Sequence, residues 1–281
     1  QTTTTVEFND KFKQDEIIFN GKIEDLENNR AVKHLDRIRA LAKIDLKAKV
    51  ETTNNFPTGT GLSSSASGFA ALTLVASNAA GLNLSEKELS ILARQGSGSA
   101  CRSIPDGFVQ WLDGDTSDSS YGVSIFPPEY FEIADVVAVV SLDKKFLATS
   151  EGQKSARTSP FFEKRLSLIG DKIDRVKKAI EDKNFSEFGE LIEREALEFH
   201  SILFTSDPPL FYWTPETVKV MKYVQKIRSE GLECYFTINT GQDVHVISKK
   251  EDAETVSAKL KELPEVIKTI INFPAQGAHL V

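Results

Sequence analysis

Residues 54–72 read NNFPTGTGLSSSASGFAAL, a turn-rich loop that runs into a stretch of small residues. Glycines allow a ligand to approach the backbone closely, and the start of a helix presents unpaired N–H groups at the positive end of its dipole. The segment predicts a loop and a helix over Ala66–Ala80 that bind an anion such as phosphate, with hydroxyl donors at Ser63, Ser64 and Ser65. On composition alone, a turn that only caps the helix fits equally well.

This loop matches neither of two common phosphate-binding motifs. The Gly-Lys-Ser/Thr ending of a Walker A loop is absent, and position 64 is Ser where the dinucleotide-binding GxGxxG pattern needs glycine. One of the three serines could also ligate a magnesium ion, which prefers oxygen ligands. The segment therefore indicates a phosphate site of another class.

A second polar glycine loop, ARQGSGSACRS, occupies residues 93–103. It follows a helix that Ser85 and Glu88 begin with a predicted capping box, and it precedes a predicted strand. Arg102 carries the forked side chain best suited to grip a carboxylate or a phosphate. An ordinary surface loop stays open as an explanation, but two such loops in one domain favour a binding site.

The periodicity of the rest of the chain predicts an α+β protein in two parts. Strands and helices alternate in residues 1–147, the nucleotide- and phosphate-binding part, and long amphipathic helices dominate residues 148–281. We expect the strands 2–8 and 15–19 to pair and Asn20-Gly21 to form a tight hairpin turn. Other predicted strands are 43–52, 107–112, 133–142, 233–238 and 244–248, and predicted helices are 24–41, 160–182, 186–204, 215–230 and 252–263.

Composition narrows the functional classes. The chain has 281 residues, 40% of them apolar, and a formal net charge of −7 without a block rich in Lys and Arg. This balance argues against a nucleic-acid partner or an anionic membrane surface. The longest apolar region, Gly68–Leu84, falls short of the roughly 20 clean residues of a membrane helix, and no signal peptide is visible. We expect a cytoplasmic protein in which Cys101 and Cys234 are reduced, although one bridge stays open.

The two loops together resemble those of the diphosphomevalonate decarboxylase family within the GHMP kinase superfamily. The first resembles the family's nucleotide loop, and the second resembles its substrate loop, which is a much rarer string. Similarity continues at Asn29-Arg30, at Thr149, at Thr158-Ser159 and from Phe199-His200 to Tyr212. The resemblance implies a GHMP-kinase-like fold, with an N-terminal mixed sheet and helices followed by a helix-rich C-terminal α+β half.

The resemblance also implies an activity. Members phosphorylate the tertiary hydroxyl of 5-diphosphomevalonate with ATP and Mg²⁺, then lose phosphate and carbon dioxide to give isopentenyl diphosphate for isoprenoid biosynthesis. Matching positions assign ATP phosphates to Pro57, Gly59, Gly61, Leu62, Ser63, Ser64 and Ser65, with Ser65 as a possible Mg²⁺ ligand. They assign mevalonate diphosphate to Arg30, Ser97, Gly98, Ser99, Ala100, Arg102 and Thr149. We expect a homodimer.

Two positions depart from the family pattern. Roughly 40 residues of family sequence, with a Lys-bearing Tyr-Trp-Gly-Lys motif, would precede Gln1, so we expect either a longer chain that carries them or a crippled enzyme. The string FTINTGQD, residues 236–243, places Asn239 where the family has a catalytic Asp. An amide cannot accept a proton at neutral pH, and losing a general base costs about 100- to 10,000-fold in rate. We therefore expect decarboxylation to be impaired, binding of both ligands to persist and Asn239→Asp to restore product formation. Asn239 is then an engineered substitution or a natural divergence, unless Asp243 takes the role. Arg102 is the second candidate catalytic residue.

Other activities remain open for a chain with these two loops. A mevalonate 3-kinase, a phosphomevalonate or bisphosphomevalonate decarboxylase, or a binding protein without turnover would carry similar loops. Trp111 and Trp213 are interpreted as packing aromatics. The four histidines show no metal spacing and are interpreted as surface or packing residues, with a direct role open for His200.

Overall fold

The structure, a computed structural model, describes residues 1–56, 62–143 and 149–281, with no side-chain description for 149–151. The chain divides into two compact units. Of the described residues, the first contains 1–56, Ser63–Tyr130 and Ala275–Val281, and the second contains Leu62 and those of Phe131–Pro274. None of the helices in the described ranges combines the length and the apolar composition that crossing a bilayer requires.

Among its described residues, the first unit contains six strands and three α-helices in the order β1 (Thr2–Asn9), β2 (Glu16–Phe19), β3 (Lys22–Ile23), α1 (Arg30–Ala42), β4 (Lys47–Asn54), α2 (Ser64–Ala79), α3 (Glu86–Gly96), β5 (Phe108–Trp111) and β6 (Gly122–Phe126). A 3-10 helix, Gly98–Ser103, follows α3. Strands β5 and β6 form a two-stranded sheet, and the other four form one sheet in the order β1-β4-β2-β3.

The pairing of the first two strands differs from the prediction. Strands β1 and β2 do not pair with each other, because β4 lies between them, antiparallel to β1 and parallel to β2. The turn at Asn20-Gly21 is confirmed: both residues have positive φ, and Ile18 pairs with Ile23. This geometry is the mirror-image turn that matches the twist of a two-residue hairpin.

Helix α1 begins later than its apolar spacing predicts. Asn29 has extended backbone angles, and its side chain accepts a hydrogen bond from the Ala31 amide, so the helix starts at Arg30 and not at Glu24. The capping box of Ser85 and Glu88 at the start of α3 is confirmed. Because the Asn29 cap fixes the first helical residue, it also fixes the position of Arg30.

A buried histidine joins α1 to α2 in the core of the first unit. The side chain of His34 is fully buried, its Nε2 lies 2.8 Å from Thr73 Oγ1, and its ring meets the Phe69 ring edge-on. Burial, aided by the charge of Arg37, lowers the pKa of His34 to about 4. The imidazole is therefore neutral in the folded protein.

This burial predicts a pH-dependent stability. Between pH 6.5 and about 4, His34 is protonated in the unfolded chain but stays neutral in the folded protein. The free energy of unfolding therefore falls as the pH drops through this window. The loss is on the order of 3 kcal/mol for such a group. Denaturant titrations from pH 7 to 4.5 should show a shallower slope for His34→Gln, while exposed His279→Gln should match the wild type. Identical slopes for His34→Gln and the wild type would contradict this assignment.

In the part of the second unit that the structure describes, five α-helices and four strands follow in the order β7 (Ile133–Val139), α4 (Thr149–Ala156), α5 (Phe162–Glu181), α6 (Phe185–Phe204), α7 (Pro215–Ser229), β8 (Cys234–Thr237), β9 (Val244–Lys249), α8 (Ala253–Leu260) and β10 (Lys268–Asn272). The sheet order is β10-β7-β9-β8, and all neighbours are antiparallel. The sequence-based division places β7 in residues 1–147, but β7 pairs with β9 and β10 and so belongs to this unit. The division by function stays a prediction.

The two faces of this sheet differ in chemistry. On one face, alternate residues of the two central strands, such as Val136 and Val246, are buried against α7 and α8. On the other face lie the alternating residues Asp135 and His245, and β8 is held to α6 by Glu193, which accepts from the Phe236 amide and from Arg228. Polar groups therefore sit within a sheet whose opposite face is apolar.

The end of the chain returns to the first unit. The Gly107 amide donates to the Ala275 carbonyl, the Gly277 amide to Asp106, and the Ala278 amide to the Ser103 carbonyl. A Cβ atom on Gly277 would lie 2.1 Å from the Ile104 carbonyl oxygen, so only glycine permits this approach. These bonds hold the segment at the end of the 3-10 helix.

Candidate active site

The predicted phosphate loop ends at the start of α2. Ser63 adopts the left-handed conformation, with φ 55° and ψ 30°, and does not cap the helix with its side chain. The first N–H groups of a helix have no partner within it, and so they can bind an anion. Ser63 and Ser65 are exposed and Ser64 is half-buried, while Leu62 precedes them. The helix starts two residues earlier than predicted and includes Ser64 and Ser65.

The second loop is a 3-10 helix that the protein interior holds in place. Buried Ser90 on α3 donates to the Cys101 carbonyl at 2.9 Å and accepts from the Gly122 amide at 2.8 Å. This hydroxyl therefore ties the loop to β6. Ala100 and Cys101 face the core, whereas Gly98 and Arg102 are exposed and Ser97 and Ser99 are half-buried.

The two loops meet within the first unit. The hydroxyl oxygens of Ser97 and Ser65 lie 3.4 Å apart. Arg30 joins the same group, since its Nη2 donates to the Gly96 carbonyl at 2.7 Å and its guanidinium lies 5.0 Å from the centre of the Phe69 ring. A cationic side chain and two hydroxyls thus surround one helix start.

A cavity opens beside this group. Its volume is 390 Å³, within the range of about 300–1,000 Å³ typical of small-molecule sites. Its lining includes Arg30, Ser64, Ser65 and Phe69. A larger cavity of 870 Å³ lies between α1 and α3 and contains none of the predicted site residues. We therefore regard the smaller cavity as the candidate site.

Gly96 packs closely against the Phe69 ring, over which the Arg30 guanidinium lies. A Cβ atom on this residue would lie 2.3 Å from Cδ1 of Phe69, the ring that Arg30 covers. We expect Gly96→Ala to lower the free energy of unfolding by about 1–3 kcal/mol, because the ring must move. Gly170 in α5 has nothing within 4 Å of such a Cβ, and Gly170→Ala should raise stability by about 0.5–1 kcal/mol. Chemical denaturation measures both, and equal effects would count against the packing argument.

Arg102 and Cys101 have different environments although they are neighbours. The guanidinium of Arg102 lies 5.6 Å from the centre of the Trp111 ring, and Trp111 Nε1 donates to Ser120 at 2.8 Å. Burial raises the pKa of the Cys101 thiol and outweighs the charges of Arg102 and Arg94. Both Cys101 and Cys234 are free and buried, and neither forms a bridge.

Asn239 lies in the second unit, in the loop between β8 and β9, and it is exposed. Its Nδ2 lies 3.3 Å from His245 Nε2, and its backbone carbonyl accepts from His200 Nε2 at 3.1 Å. Asp243 is 3% exposed, and its Oδ1 accepts from the Val140 amide. The buried position of Asp243 favours Asn239, and not Asp243, as the residue that meets a ligand.

His200, on α6, is a structural group that contacts this loop. It is fully buried, and burial lowers its pKa to about 4 despite the hydrogen bond to the Asn239 carbonyl. The rings of Phe199, Tyr212 and Trp213 pack around it. A neutral imidazole in an aromatic cluster positions the loop through its donated hydrogen bond.

Several predicted residues lie outside these descriptions. Pro57, Gly59 and Gly61 fall outside the described residues. Thr149 is the first residue of α4, but its side chain is not described. Thr149 and Asn239 belong to the second unit, and their placement relative to the two loops stays a prediction.

The donors in the described residues could supply only part of a magnesium site. Among residues 1–56, 62–143 and 149–281, no group of three His, Cys, Asp or Glu side chains could hold a metal ion. Magnesium is usually bound by substrate phosphates, waters and one or two protein oxygens, so the hydroxyls of Ser65 and Ser97 suit it without such a cluster.

Sequence reasoning missed His245 and Asp135. The Nδ1 atom of His245 lies 2.9 Å and 3.1 Å from the two carboxylate oxygens of Asp135. A signal was present, because Asp135 is a lone carboxylate inside the apolar run Ile133–Val140. A charged side chain in a largely apolar strand requires a partner, which here is His245.

Comparison with known proteins agrees with this geometry. Residues 1–122 match the family model of the diphosphomevalonate decarboxylase-like N-terminal domain. Residues 135–277 match the mevalonate 5-diphosphate decarboxylase C-terminal domain. The two matches together span nearly the whole chain.

Two individual decarboxylases are similar to the chain in sequence. The chain is 34% identical over 276 residues to a diphosphomevalonate decarboxylase of Candida albicans, covering 92% of this chain and 76% of that protein. It is 31% identical over 257 residues to a phosphomevalonate decarboxylase of Haloferax volcanii, covering 91% and 78%.

Solved structures share the fold. The mevalonate diphosphate decarboxylase of Staphylococcus aureus matches with a TM-score of 0.92 at 35% identity, covering 100% of this chain and 86% of that one. A structure of MDDEF in complex with MVAPP, AMPPCP and magnesium matches with a TM-score of 0.90 at 36% identity, covering 98% and 85%. The α+β fold of GHMP-kinase type is therefore confirmed, and the chain belongs to the diphosphomevalonate decarboxylase family.

Proposed function

We propose that this chain uses ATP to phosphorylate the tertiary hydroxyl of mevalonate 5-diphosphate and then releases phosphate and carbon dioxide to give isopentenyl diphosphate. The observation that carries the proposal is the 3.4 Å contact between Ser65 and Ser97, which brings the nucleotide loop and the substrate loop together. Arg30 lies at the same place, held by the Gly96 carbonyl. Phosphoryl transfer needs such convergence, because positioning and charge neutralisation supply most of its catalysis.

Each loop has a separate task in this proposal. Leu62 and the three serines that follow bind the ATP phosphates at the start of α2, together with Pro57, Gly59 and Gly61. Ser97, Gly98, Ser99 and Ala100 bind the substrate through hydroxyls and backbone amides. Arg30, Arg102 and Thr149 complete the set, and the two guanidinium groups neutralise the carboxylate and the diphosphate.

Magnesium would be bound by the ATP phosphates with Ser65 and Ser97 nearby, and it would neutralise charge on the transferred phosphoryl group. The protein's own contribution is to hold the two phosphate-bearing molecules in one orientation. Ser90 and the Asn29 cap make that orientation rigid, because they fix the second loop and Arg30.

A second candidate differs in the number of substrate phosphates. The Haloferax volcanii relative is a phosphomevalonate decarboxylase, and its similarity to this chain approaches that of the Candida albicans enzyme. The two activities share the tertiary hydroxyl and the carboxylate and differ only at the phosphorylated end of the substrate.

One assay separates the candidates. The protein is mixed with ATP, Mg²⁺ and either mevalonate, its 5-phosphate or its 5-diphosphate, and ADP and carbon dioxide are measured. We expect the 5-diphosphate to release both products. ADP without carbon dioxide would indicate a 3-kinase, preference for the 5-phosphate would indicate the second candidate, and calorimetric binding without ADP release would indicate a binding protein.

We also propose that the protein acts in the cytoplasm and forms a homodimer. Its substrate and products are small anionic metabolites, for which the acidic chain needs only a local cationic site. Size-exclusion chromatography with light scattering would test the oligomeric state.

A further inference from the structure

The ring of Trp111 lies against the second loop, and both belong to the first unit. A Cβ atom on Gly98 would lie 3.3 Å from Cη2 of Trp111, and the Arg102 guanidinium lies 5.6 Å from the centre of the ring. Trp111 is the last residue of β5 and is 37% exposed. One aromatic side chain therefore lies beside the first residue and the arginine of the 3-10 helix.

We infer that Trp111 is a positioning residue, which holds the Arg102 guanidinium in the orientation that binds the anionic groups of the substrate. The inference rests on the proposed function, in which Arg102 binds mevalonate 5-diphosphate. It gives Trp111 a task beyond that of a packing aromatic. Every residue that carries the inference belongs to the first unit.

The ring orients Arg102 without occupying its hydrogen-bond donors. Within residues 1–56, 62–143 and 149–281, the guanidinium of Arg102 has neither a hydrogen-bond acceptor nor an acidic partner. The N–H groups of a guanidinium lie in its plane, whereas an aromatic ring attracts a cation to its face. The fork that binds a carboxylate or a phosphate through two parallel hydrogen bonds is therefore left for a ligand.

The contact partners of the arginines in the first unit follow their roles. Arg39, which connects α1 to the sheet, pairs with the buried carboxylate of Asp15. Arg30, which is assigned to the substrate, lies 5.0 Å from the centre of the Phe69 ring. Both arginines assigned to the substrate, Arg30 and Arg102, thus lie against an aromatic ring. A ring leaves the positive charge uncancelled, as binding an anion requires.

The Trp111 ring is itself held in place. Its Nε1 donates to the Ser120 hydroxyl at 2.8 Å, and the Ser120 carbonyl accepts from Nε of Arg94 at 2.9 Å. Trp111 pairs with Gly122 on β6, and opposite residues of an antiparallel pair share a face of the sheet. A Cβ atom on Gly122 would lie 2.5 Å from the Cys101 carbonyl oxygen, so this face carries the 3-10 helix. The hairpin therefore fixes the ring beside the loop.

Calorimetry of mevalonate 5-diphosphate binding tests the inference without requiring turnover. Trp111→Leu keeps an apolar side chain but removes the aromatic face, so we expect the dissociation constant to rise by about 5- to 30-fold, which a cation–π contact can account for. Trp111→Phe keeps a ring and should stay within about 3-fold of the wild type. A Trp111→Leu variant that binds as tightly as the wild type, or as weakly as Trp111→Phe, overturns the inference.

A double-mutant cycle separates an effect through Arg102 from general support of the loop. If the ring acts through the guanidinium, adding Trp111→Leu to Arg102→Gln should raise the dissociation constant by less than about 2-fold, because the group that the ring orients is already gone. A further rise as large as that of Trp111→Leu alone overturns the inference.

Tyr121→Leu is the matched control, because it removes another aromatic ring that lies beneath a cation of the first unit. Lys87 lies 4.7 Å from the centre of the Tyr121 ring and belongs to neither loop. The dissociation constant of this variant should equal that of the wild type, and an effect as large as that of Trp111→Leu overturns the inference. Urea titration checks that each variant folds. Trp111→Met replaces Trp111→Leu if the latter does not fold, with the same expected results.

The outcomes separate this inference from the proposed function. A wild type that does not bind mevalonate 5-diphosphate rejects both. A wild type that binds it but releases neither ADP nor carbon dioxide rejects the proposed function, while the Trp111 variants still decide the inference. A wild type that releases both products, together with unchanged binding in Trp111→Leu, keeps the function and rejects the inference.

Discussion

Replacing Arg102 with glutamine should lower kcat/KM for mevalonate 5-diphosphate by about 100- to 1,000-fold, the range for removing one preorganised donor from a site where charge develops. Arg102 is exposed at the 3-10 helix, five residues after Ser97. In the proposed site, substrate and ATP bring a carboxylate and two chains of phosphates to one place, so each guanidinium would neutralise charge that the neighbouring hydroxyls cannot. Arg102→Lys should recover only part of the loss, because lysine keeps the charge but not the fork.

The matched control is Arg37→Gln, which removes the same charge from an exposed position on α1 beside the larger cavity. Its kcat/KM should stay near the wild-type value. Both variants should unfold within about 0.5 kcal/mol of the wild type, as exposed substitutions do. Equal kinetic effects from Arg102 and Arg37 would show that overall charge, and not this side chain, is responsible.

Removing the carboxylate of Asp15 by alanine should lower the free energy of unfolding by about 3–5 kcal/mol, the cost of leaving a buried charge without its partner. Asp15 pairs with Arg39 on α1 and accepts from the Ala48 amide on β4, and both side chains are less than a tenth exposed. Arg39 also donates to the Leu46 carbonyl. The pair therefore connects α1 to the sheet of the first unit.

Asp36 provides an internal comparison, because it binds the same arginine from a position that is 62% exposed. Asp36→Ala should cost no more than about 1 kcal/mol, since water already solvates that carboxylate. Urea titration of the two variants measures the difference. A similar loss for both would mean that burial does not set the strength of the Asp15 contact.

Local signals predicted the local structure well. The Asn20-Gly21 turn and the Ser85 capping box each depend on residues within four positions of one another, and both are confirmed. The pairing of β1 with β2 was wrong because the partner of both strands, β4, comes later in the chain. Strand β10 was missed, since its short run of two isoleucines becomes a strand only by pairing with β7.

The candidate site follows the same rule. Both glycine loops were predicted from their own composition, and the family resemblance added roles for Arg30 and Thr149. The two loops meet at the 3.4 Å contact between Ser65 and Ser97. These residues are 32 positions apart, so sequence spacing alone does not predict the contact. The Asp135–His245 contact spans 110 positions, so neither residue alone indicated the pair.

The return of residues 275–281 to the first unit affects the order of assembly during translation. Asp106 and the Ser103 carbonyl bind a segment that the ribosome makes only after the whole second unit. During translation, the end of the loop that carries Arg102 therefore lacks these hydrogen bonds until about 140 further residues have been synthesised. We expect the protein to bind its ligands only late in synthesis, once residues 275–281 have bound to the first unit.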